Sequence, residues 1–182
     1  MLKNKLKKGI TLVEAMAVIG IGAAVSAGAL IMYQSAQKQK MLKDMTEVQS
    51  AMFMKLAKAF NRKNSPNGLD SKLAAKMGVF PKVVKDNNDL SLWEEPINVT
   101  NNCFNSGIAK PARCFSVEFE AVPGDICYEF ANASLEGDWT GIDVGGQKAN
   151  ADDDEIASTL AAGCDEDGTT NITLFRDKVG VN

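Results

Sequence analysis

The chain has 182 residues, of which 45% are hydrophobic and 24% are charged, so it is not a disordered protein and can form one domain with a buried core. It contains no histidine, which excludes a Ser-His-Asp triad and a histidine-ligated zinc site. The formal net charge of -3 does not favour a nucleic-acid-binding surface, although charge and hydrophobicity are spread unevenly along the chain.

The N-terminal part of the sequence is a basic segment followed by an apolar one. Residues 1–9 contain four lysines and no acid, and residues 10–32 are apolar or small except for Glu14. As a helix, the apolar segment would extend roughly 35 Å, enough to cross a hydrocarbon core about 30 Å thick. The lysines predict that the N-terminal end stays on the cytoplasmic side of a membrane. Gly20 and Gly22 are expected to loosen this helix when it leaves the bilayer, or alternatively to allow close packing against another helix.

Helix-forming sequence continues beyond the apolar segment. Residues 33–61 contain neither proline nor glycine, and apolar side chains recur there every three or four positions, as on one face of an amphipathic helix. We therefore predict one helix over residues 10–61, whose second half carries five lysines and two acids and packs on a sheet. The methionines of residues 41–54 are expected to belong to the packing face. That face is predicted to contain Met41, Met45, Val48, Met52, Leu56 and Phe60.

Residues 62–182 are predicted to form an α+β head with about four short antiparallel strands. A turn cluster at 64–68 ends the long helix, and Gly78 ends a short helix over 69–77. The 20 acids and 11 bases after residue 61 give this head a charge of -9. Strands are predicted at 96–103, 114–122, 139–144 and 171–176, and further helices at 125–135 and 152–162.

Three kinds of N-terminal segment fit the basic and apolar pattern. A cleaved secretory signal would be cut near residues 25–27, but such signals rarely contain a carboxylate, which costs about 2.5–3.5 kcal/mol to insert. A plain signal anchor explains the apolar span but gives Glu14 no role. Cleavage after Gly9 would instead create an ammonium group on Ile10, four residues from Glu14. A carboxylate in apolar surroundings needs such a partner, either in its own chain or in a neighbouring one.

The segment Lys7-Lys8-Gly9-Ile10-Thr11-Leu12-Val13-Glu14 resembles the processing signal of type IV prepilins. Isoleucine at position 10 is typical of the type IVb branch. Residues 25–36 resemble bundle-forming pilins and the thin-pilus pilins of conjugative plasmids, although a nine-residue leader is short for that branch. The resemblance implies that a prepilin peptidase cuts after Gly9 and methylates Ile10. It also implies the type IV pilin fold, in which the long helix packs on the antiparallel sheet.

The same resemblance implies a structural subunit that has no cofactor and is not an enzyme. Such a subunit is first held in the inner membrane as a prepilin. The pilus assembly machinery and minor pilins then incorporate it into a homopolymer, an extracellular filament on the bacterial surface. The filament would serve cell-cell contact, through conjugative mating-pair stabilisation or through aggregation and adhesion, and nucleic acid is not an expected partner. A minor pilin, a type II secretion pseudopilin and a membrane-anchored periplasmic domain are the alternatives.

Four cysteines follow the apolar segment, on the side where an oxidising compartment favours disulfides. They allow three pairings, and no CxxC spacing indicates a metal site. Cys103 and Cys114 flank a turn-rich stretch, so a local bridge between them, together with one between Cys127 and Cys164, is favoured. The resemblance implies the second bridge, which closes the exposed D-region of type IVb pilins over residues 127–164, and it is silent on the first.

Acidic residues are concentrated in the D-region and just after it, with runs at 152–155 and 165–167. Clustered carboxylates suit a calcium ion, an adhesive contact or a solvated filament surface. No stretch has the spacing of a twelve-residue calcium loop, and no metal site is expected. The acidic surface is alternatively complementary to the basic helix residues of another subunit, namely Lys38, Lys40 and Lys43.

Overall fold

The computed structural model describes residues 11–60, 66–82, 84, 95–102 and 114–177. Within these ranges the chain forms a long N-terminal helix, three shorter helices and a five-stranded antiparallel sheet, so the predicted α+β class is confirmed. The described residues divide between Lys40 and Met41 into two compact units. In chain order the elements are α1 (Leu12–Phe60), α2 (Ser71–Lys76), β1 (Ile97–Thr100), β2 (Phe115–Pro123), α3 (Gly124–Leu135), β3 (Gly141–Val144), β4 (Gln147–Asn150), α4 (Ile156–Gly163) and β5 (Thr169–Arg176).

In the first unit, helix α1 begins at Leu12 because the residue before it caps the helix. The hydroxyl of Thr11 accepts a hydrogen bond from the backbone N–H of Glu14 at 3.3 Å, as an N-cap residue does. The predicted helix start at residue 10 lies outside the described residues. Residues 12–40 are helical without interruption, and nearly all of their side chains are exposed.

In the second unit, residues 41–60 of α1 pack into the core through the predicted face. All six residues predicted for this face are buried or packed against the core, so that prediction is confirmed. The expectation that every methionine of this stretch belongs to the face is wrong for Met54, which is 65% exposed. Met54 follows Met52 by two residues, which places its side chain about 200° around the helix. Gln49 and Phe53 join the buried face instead.

A polar contact inside the core joins α1 to the loop before β3. The indole N–H of Trp139 donates a hydrogen bond to the side-chain carbonyl of Gln49 at 2.5 Å, and both residues are almost completely buried. The ring of Trp139 stands edge-on to Phe53, with centroids 4.9 Å apart, and to Phe115 of β2 at 5.8 Å. Aromatic pairs of this kind add about 0.5–1.5 kcal/mol beyond burial, so this cluster fastens the helix to the sheet.

The sheet has the strand order β1-β2-β5-β3-β4, which places the C-terminal strand β5 at its centre. All pairs are antiparallel, and one inward-facing residue of each strand falls in a single row across the sheet. Every residue of this row is at most 2% exposed, so the row forms the middle of the core. In spatial order it consists of Val99, Val117, Leu174, Ile142 and Ala149.

The structure has one strand more than the four that the sequence predicts, because residues 147–150 form β4. Only Ala149 of this strand is buried, so its sequence lacks the alternating apolar pattern of a strand. The strand forms because Gly145 and Gly146 both adopt positive φ angles, 58° and 88°, and make the two-residue turn of a hairpin with β3. A turn that needs positive φ at both positions favours glycine there.

A bulge interrupts the pairing of β2 with β5 between Phe119 and Val122. Within it, Ala121 has a φ of 48°, in a left-handed region that costs a non-glycine residue roughly 1–2 kcal/mol. The side-chain carbonyl of Asn171 on β5 accepts a hydrogen bond from the Ala121 N–H at 3.0 Å. This bond satisfies a backbone group that the bulge leaves without a ladder partner.

Replacing Gln49 by leucine should lower the free energy of unfolding by about 1–3 kcal/mol, because the buried indole N–H of Trp139 would lose its acceptor. The measurement is chemical denaturation of the full chain in detergent micelles, followed by circular dichroism. The double variant Gln49→Leu/Trp139→Phe removes both partners and should recover part of the loss. A loss no larger than that of Gln39→Leu, at an exposed position of the same helix, would contradict the role assigned to this bond.

Candidate assembly interface

Residues 12–33 present apolar side chains on all sides of helix α1. The large hydrophobic side chains of this stretch are 62–78% exposed. Within the described part of the chain, α1 is the one helix long and apolar enough to cross a membrane. Residues 12–32 extend about 31 Å as a helix, close to the thickness of a hydrocarbon core. Soluble monomers rarely expose so large an apolar surface, so lipid or other protein chains have to cover it.

Glu14 lies in the first turn of this apolar segment, and its side chain is exposed. Residues 11–14 have the Thr-x-x-Glu sequence of a capping box, and the bond from the Glu14 N–H to the Thr11 hydroxyl is the contact of that motif that the structure shows. Among the described residues, no basic side chain lies within ion-pair distance of the Glu14 carboxylate. Gly9 and Ile10, the predicted cleavage site, lie outside the described residues, so the ammonium partner stays a prediction.

Gly20 and Gly22 lie within the continuous helix, and a Cβ atom built on either would meet nothing within 4 Å. No described contact of the subunit therefore requires glycine at these two positions. The hydroxyl of Ser26 donates a hydrogen bond to the Gly22 carbonyl at 2.8 Å, a type of contact that slightly weakens and bends helices. The predicted loosening of the helix at Gly20 and Gly22 stays a prediction.

A disulfide joins Cys127 in α3 to Cys164 at the end of α4, with the two Cα atoms 5.8 Å apart. This is the pair that the resemblance to type IVb pilins implies for the D-region. Closing a loop of this length restricts the unfolded chain, which stabilises the fold by about 3–4 kcal/mol in the chain-entropy model. Cys114 is buried and also disulfide-bonded, whereas Cys103, its expected partner, lies outside the described residues.

Close backbone approaches, which only glycine permits, hold both ends of the disulfide-closed segment. A Cβ atom on Gly124 would lie 1.8 Å from the carbonyl oxygen of Asp165, and one on Gly163 would lie 2.2 Å from the carbonyl oxygen of Val144. The N–H of Gly124 also donates a hydrogen bond to the Gly168 carbonyl at 2.9 Å. The start of α3 and the end of α4 are thereby fixed against their neighbours. The sequence shows these glycines but not the backbone that lies against them.

In each of the two acidic runs, one carboxylate accepts a hydrogen bond from a nearby backbone N–H group. Helix α4 begins at Ile156, so the predicted helix start at residue 152 is wrong by four residues. The residues before α4 form a turn instead, in which the Asp153 carboxylate accepts a hydrogen bond from the Asn150 N–H at 2.6 Å. Asp165 likewise accepts from the Asp167 N–H at 3.3 Å. Within the described ranges, no group of three or more His, Cys, Asp or Glu side chains is placed to hold a metal ion. The calcium alternative therefore gains no support from these ranges.

Charge is distributed unevenly between the two edges of the sheet. Helix α2 packs on edge strand β1, and α4 packs on the opposite edge strand β4. Residues 114–177 contain 15 acids and two bases, and the acidic runs flank α4. Near α2, the side chain of Lys55 donates a hydrogen bond to the Gly78 carbonyl at 2.7 Å. The exposed lysines of this edge, which we call the basic edge, are Lys55, Lys72, Lys76 and Lys82, and its exposed acids are Asp70 and Glu95.

Comparison with known families gives one match. A family model described as PilS N terminal matches residues 34–176, more than half of the chain. The match begins just after the apolar segment and ends with the last residue of β5, so it includes the amphipathic part of α1, the whole sheet and the Cys127–Cys164 disulfide. A search of curated proteins gives no significant match.

Replacing Gly124 by alanine should lower the free energy of unfolding by about 3 kcal/mol, because the added carbon would overlap a backbone carbonyl. Thermal unfolding of the full chain under non-reducing conditions, followed by circular dichroism, measures the loss. The matched control is Gly146→Ala, at a glycine with positive φ whose Cβ would meet nothing within 4 Å. The control should lose only the backbone strain, about 1–2 kcal/mol. Equal losses in the two variants would contradict the close-approach explanation.

Proposed function

Because the chain belongs to the PilS N-terminal family, type IVb pilins of the thin pilus of conjugative plasmids, we propose that it is the major structural subunit of such a pilus. The observation that carries the proposal is the apolar helix surface of residues 12–33, which is exposed along its whole length. A pilin is a structural protein that polymerises, and other copies of the same helix supply the cover that this surface needs. Pilins of this kind are not known as enzymes.

In this proposal the subunit is held first in the inner membrane and afterwards in the filament. A prepilin peptidase removes residues 1–9 and methylates the new N-terminus at Ile10. The assembly machinery, together with minor pilins, then extracts the subunit into an extracellular homopolymer. Its apolar helix exchanges lipid for neighbouring helices. Since lipid tails are as apolar as leucine side chains, this exchange supplies little free energy by itself, and polar contacts and close packing determine the arrangement.

Glu14 is the polar group best placed to control assembly. It is four residues from Ile10, and the contact with Thr11 fixes its place in the first turn of α1. A carboxylate enclosed by apolar helices costs several kcal/mol unless a cation neutralises it. Pairing with the N-terminal ammonium of a neighbouring subunit satisfies Glu14 only when the two helices are in the correct register. Gly20 and Gly22 would let the bundled helices approach closely or loosen as they adjust.

The separated charges of the head support a repeating contact between subunits. A helical filament is built from heterologous contacts, in which two different surfaces of one chain meet. The basic edge at α2 and the acidic edge at α4 lie on opposite sides of one sheet, so each subunit offers one of each. Exposed charge pairs contribute little stability individually, so we expect them to orient docking more than to strengthen it.

Mating-pair stabilisation is the role that this proposal favours, because the matching family belongs to the thin pilus of conjugative plasmids. Bacterial aggregation or adhesion would use the same filament with a different surface partner. The acidic surface of the D-region, which the disulfide and the glycine contacts hold in shape, is the part of the head suited to meet either partner.

Glu14→Ala should leave the prepilin membrane-inserted and cleaved but reduce surface pili by about tenfold or more, because each contact in the filament would contain an unpaired ammonium group. The measurement is the amount of pilin sheared from cells that express the cognate assembly genes. The control is Glu47→Ala, which removes an exposed carboxylate 3.8 Å from the Lys43 ammonium and should assemble like the wild type.

If Glu14→Ala polymerises as efficiently as the wild type, the account based on charge pairing fails. Mass spectrometry of purified filaments provides an independent check, because the mature chain should begin at Ile10 and carry one added methyl group on its N-terminus. Any other N-terminus would contradict the prepilin interpretation, whatever the phenotype of the Glu14 variant.

Deleting the chain should reduce plasmid transfer between cells shaken in liquid by about 100-fold, because a filament that links two cells holds them together for further contacts, and linkage of binding partners raises avidity by roughly 10²–10⁴. Transfer on a solid filter should change far less, since the filter already holds the cells together. The measurement is the number of recipient cells that acquire the plasmid under each condition. Equal losses in liquid and on the filter would contradict a tethering role, and no loss in liquid would favour aggregation or adhesion.

A further inference from the structure

Four polar residues at the C-terminal end of the apolar segment form what we call the exit group: Tyr33, Gln37, Lys38 and Lys40. The ring of Tyr33 is 63% exposed, and the side-chain amide of Gln37 donates a hydrogen bond to its hydroxyl at 2.5 Å. Lys38 and Lys40 lie in the same compact unit and are exposed. Positions 33, 37 and 40 recur at helical spacing, so these three residues share one face of α1 and Lys38 flanks it.

The exit group lies where a membrane-spanning helix meets the lipid headgroups. With residues 12–32 spanning about 31 Å, Tyr33 falls at the boundary of the hydrocarbon core. Tyrosine is enriched at this boundary because its ring is apolar and its hydroxyl is polar. The Cα atoms of Lys38 and Lys40 lie about 8 and 11 Å beyond Tyr33 along the helix. Helix side chains lean toward the N-terminus, so both lysine stems reach back toward the headgroups.

Charges near the exit group are arranged to suit an anionic surface. No acidic residue occurs between Glu14 and Asp44, whereas three lysines occur in that interval. An anionic lipid surface attracts lysine and repels carboxylates, and both effects fade within a Debye length of about 8 Å. The first carboxylate after the apolar segment comes eleven residues after Tyr33, well beyond the two lysines of the exit group.

We infer that the exit group binds the phosphate headgroups of anionic phospholipids in the periplasmic leaflet of the inner membrane. The inference rests on the proposed membrane-anchored precursor and adds its lipid partner. Tyr33 and Gln37 set the depth of the helix at the interface, and Lys38 and Lys40 hold the headgroups. Extraction of the subunit into the filament removes these lipids, so the same lysines become available to the acidic edge of another subunit.

The test uses the full chain reconstituted in vesicles of mixed phosphatidylcholine and phosphatidylglycerol. Spin-labelled forms of each lipid report, by electron paramagnetic resonance, which lipid is motionally restricted around the helix. The wild type should prefer phosphatidylglycerol, and Lys38→Gln/Lys40→Gln should lower that preference by up to about fivefold for each lysine removed. Raising the salt concentration should lower the preference of the wild type in the same way.

The matched control is Lys72→Gln/Lys76→Gln, which makes the same change in charge at two exposed lysines of α2 and should keep the lipid preference. Loss of the preference in both double variants, or in neither, would overturn the inference. If Lys38→Gln/Lys40→Gln keeps the preference but fails to form filaments, the two lysines act between subunits and the lipid assignment is wrong. Extraction of the vesicles at alkaline pH distinguishes the two proposals. A wild-type chain that leaves the vesicles would contradict the membrane-anchored precursor itself. A chain that is retained but shows no lipid preference would contradict this inference alone.

Discussion

The apolar surface of residues 12–33 cannot remain in water, and the rest of the structure depends on how it is covered. Lipid and neighbouring helices bury this surface almost equally well, so the hydrophobic effect does not decide which of them covers it. The few polar or small residues in or beside this surface therefore have to decide it. Glu14 lies at one end and Tyr33 and Lys38 at the other, and the small residues Gly20 and Gly22 lie between them.

A helix that is pulled out of lipid has to remain attached to the head that it carries. Residues 41–60 provide that attachment through a face that is buried in the core, where the Gln49–Trp139 hydrogen bond adds a contact with strict geometry. Phe53 packs between Trp139 and Phe115, so the same side of the helix contacts both the β3 loop and strand β2. The Cys127–Cys164 bridge, at another part of the head, closes the D-region and would keep it closed during the proposed transfer from membrane to filament.

Periodic patterns in the sequence predict the helices and strands that bury only one face. The packing face of α1 and the α+β class follow from apolar spacing, because a helix or strand with one buried face repeats its apolar residues. These patterns do not predict strand β4, because Ala149 is its one buried residue. The feature that indicates this strand is the two-glycine turn before it. The contact of Gly124 with Asp165 and the bond of Asn171 with Ala121 connect residues 41 and 50 positions apart, a distance at which local patterns are uninformative.

In the proposed assembly, the polar groups at the two ends of the apolar surface change their binding partners. The middle of that surface contributes little free energy, because lipid and neighbouring helices cover it almost equally well. At the N-terminal end, the proposal pairs Glu14 with the ammonium group of a processed neighbour. At the other end, the proposal moves the lysines of the exit group from lipid phosphates to the carboxylates of another head, in which residues 114–177 carry 15 acids and two bases. Each proposed contact places a charged group beside one of opposite sign, so neither end would leave a charge uncompensated in an apolar environment. Under this proposal both contacts form together only when neighbouring helices are in register, so the register of the helices would decide whether a subunit is incorporated.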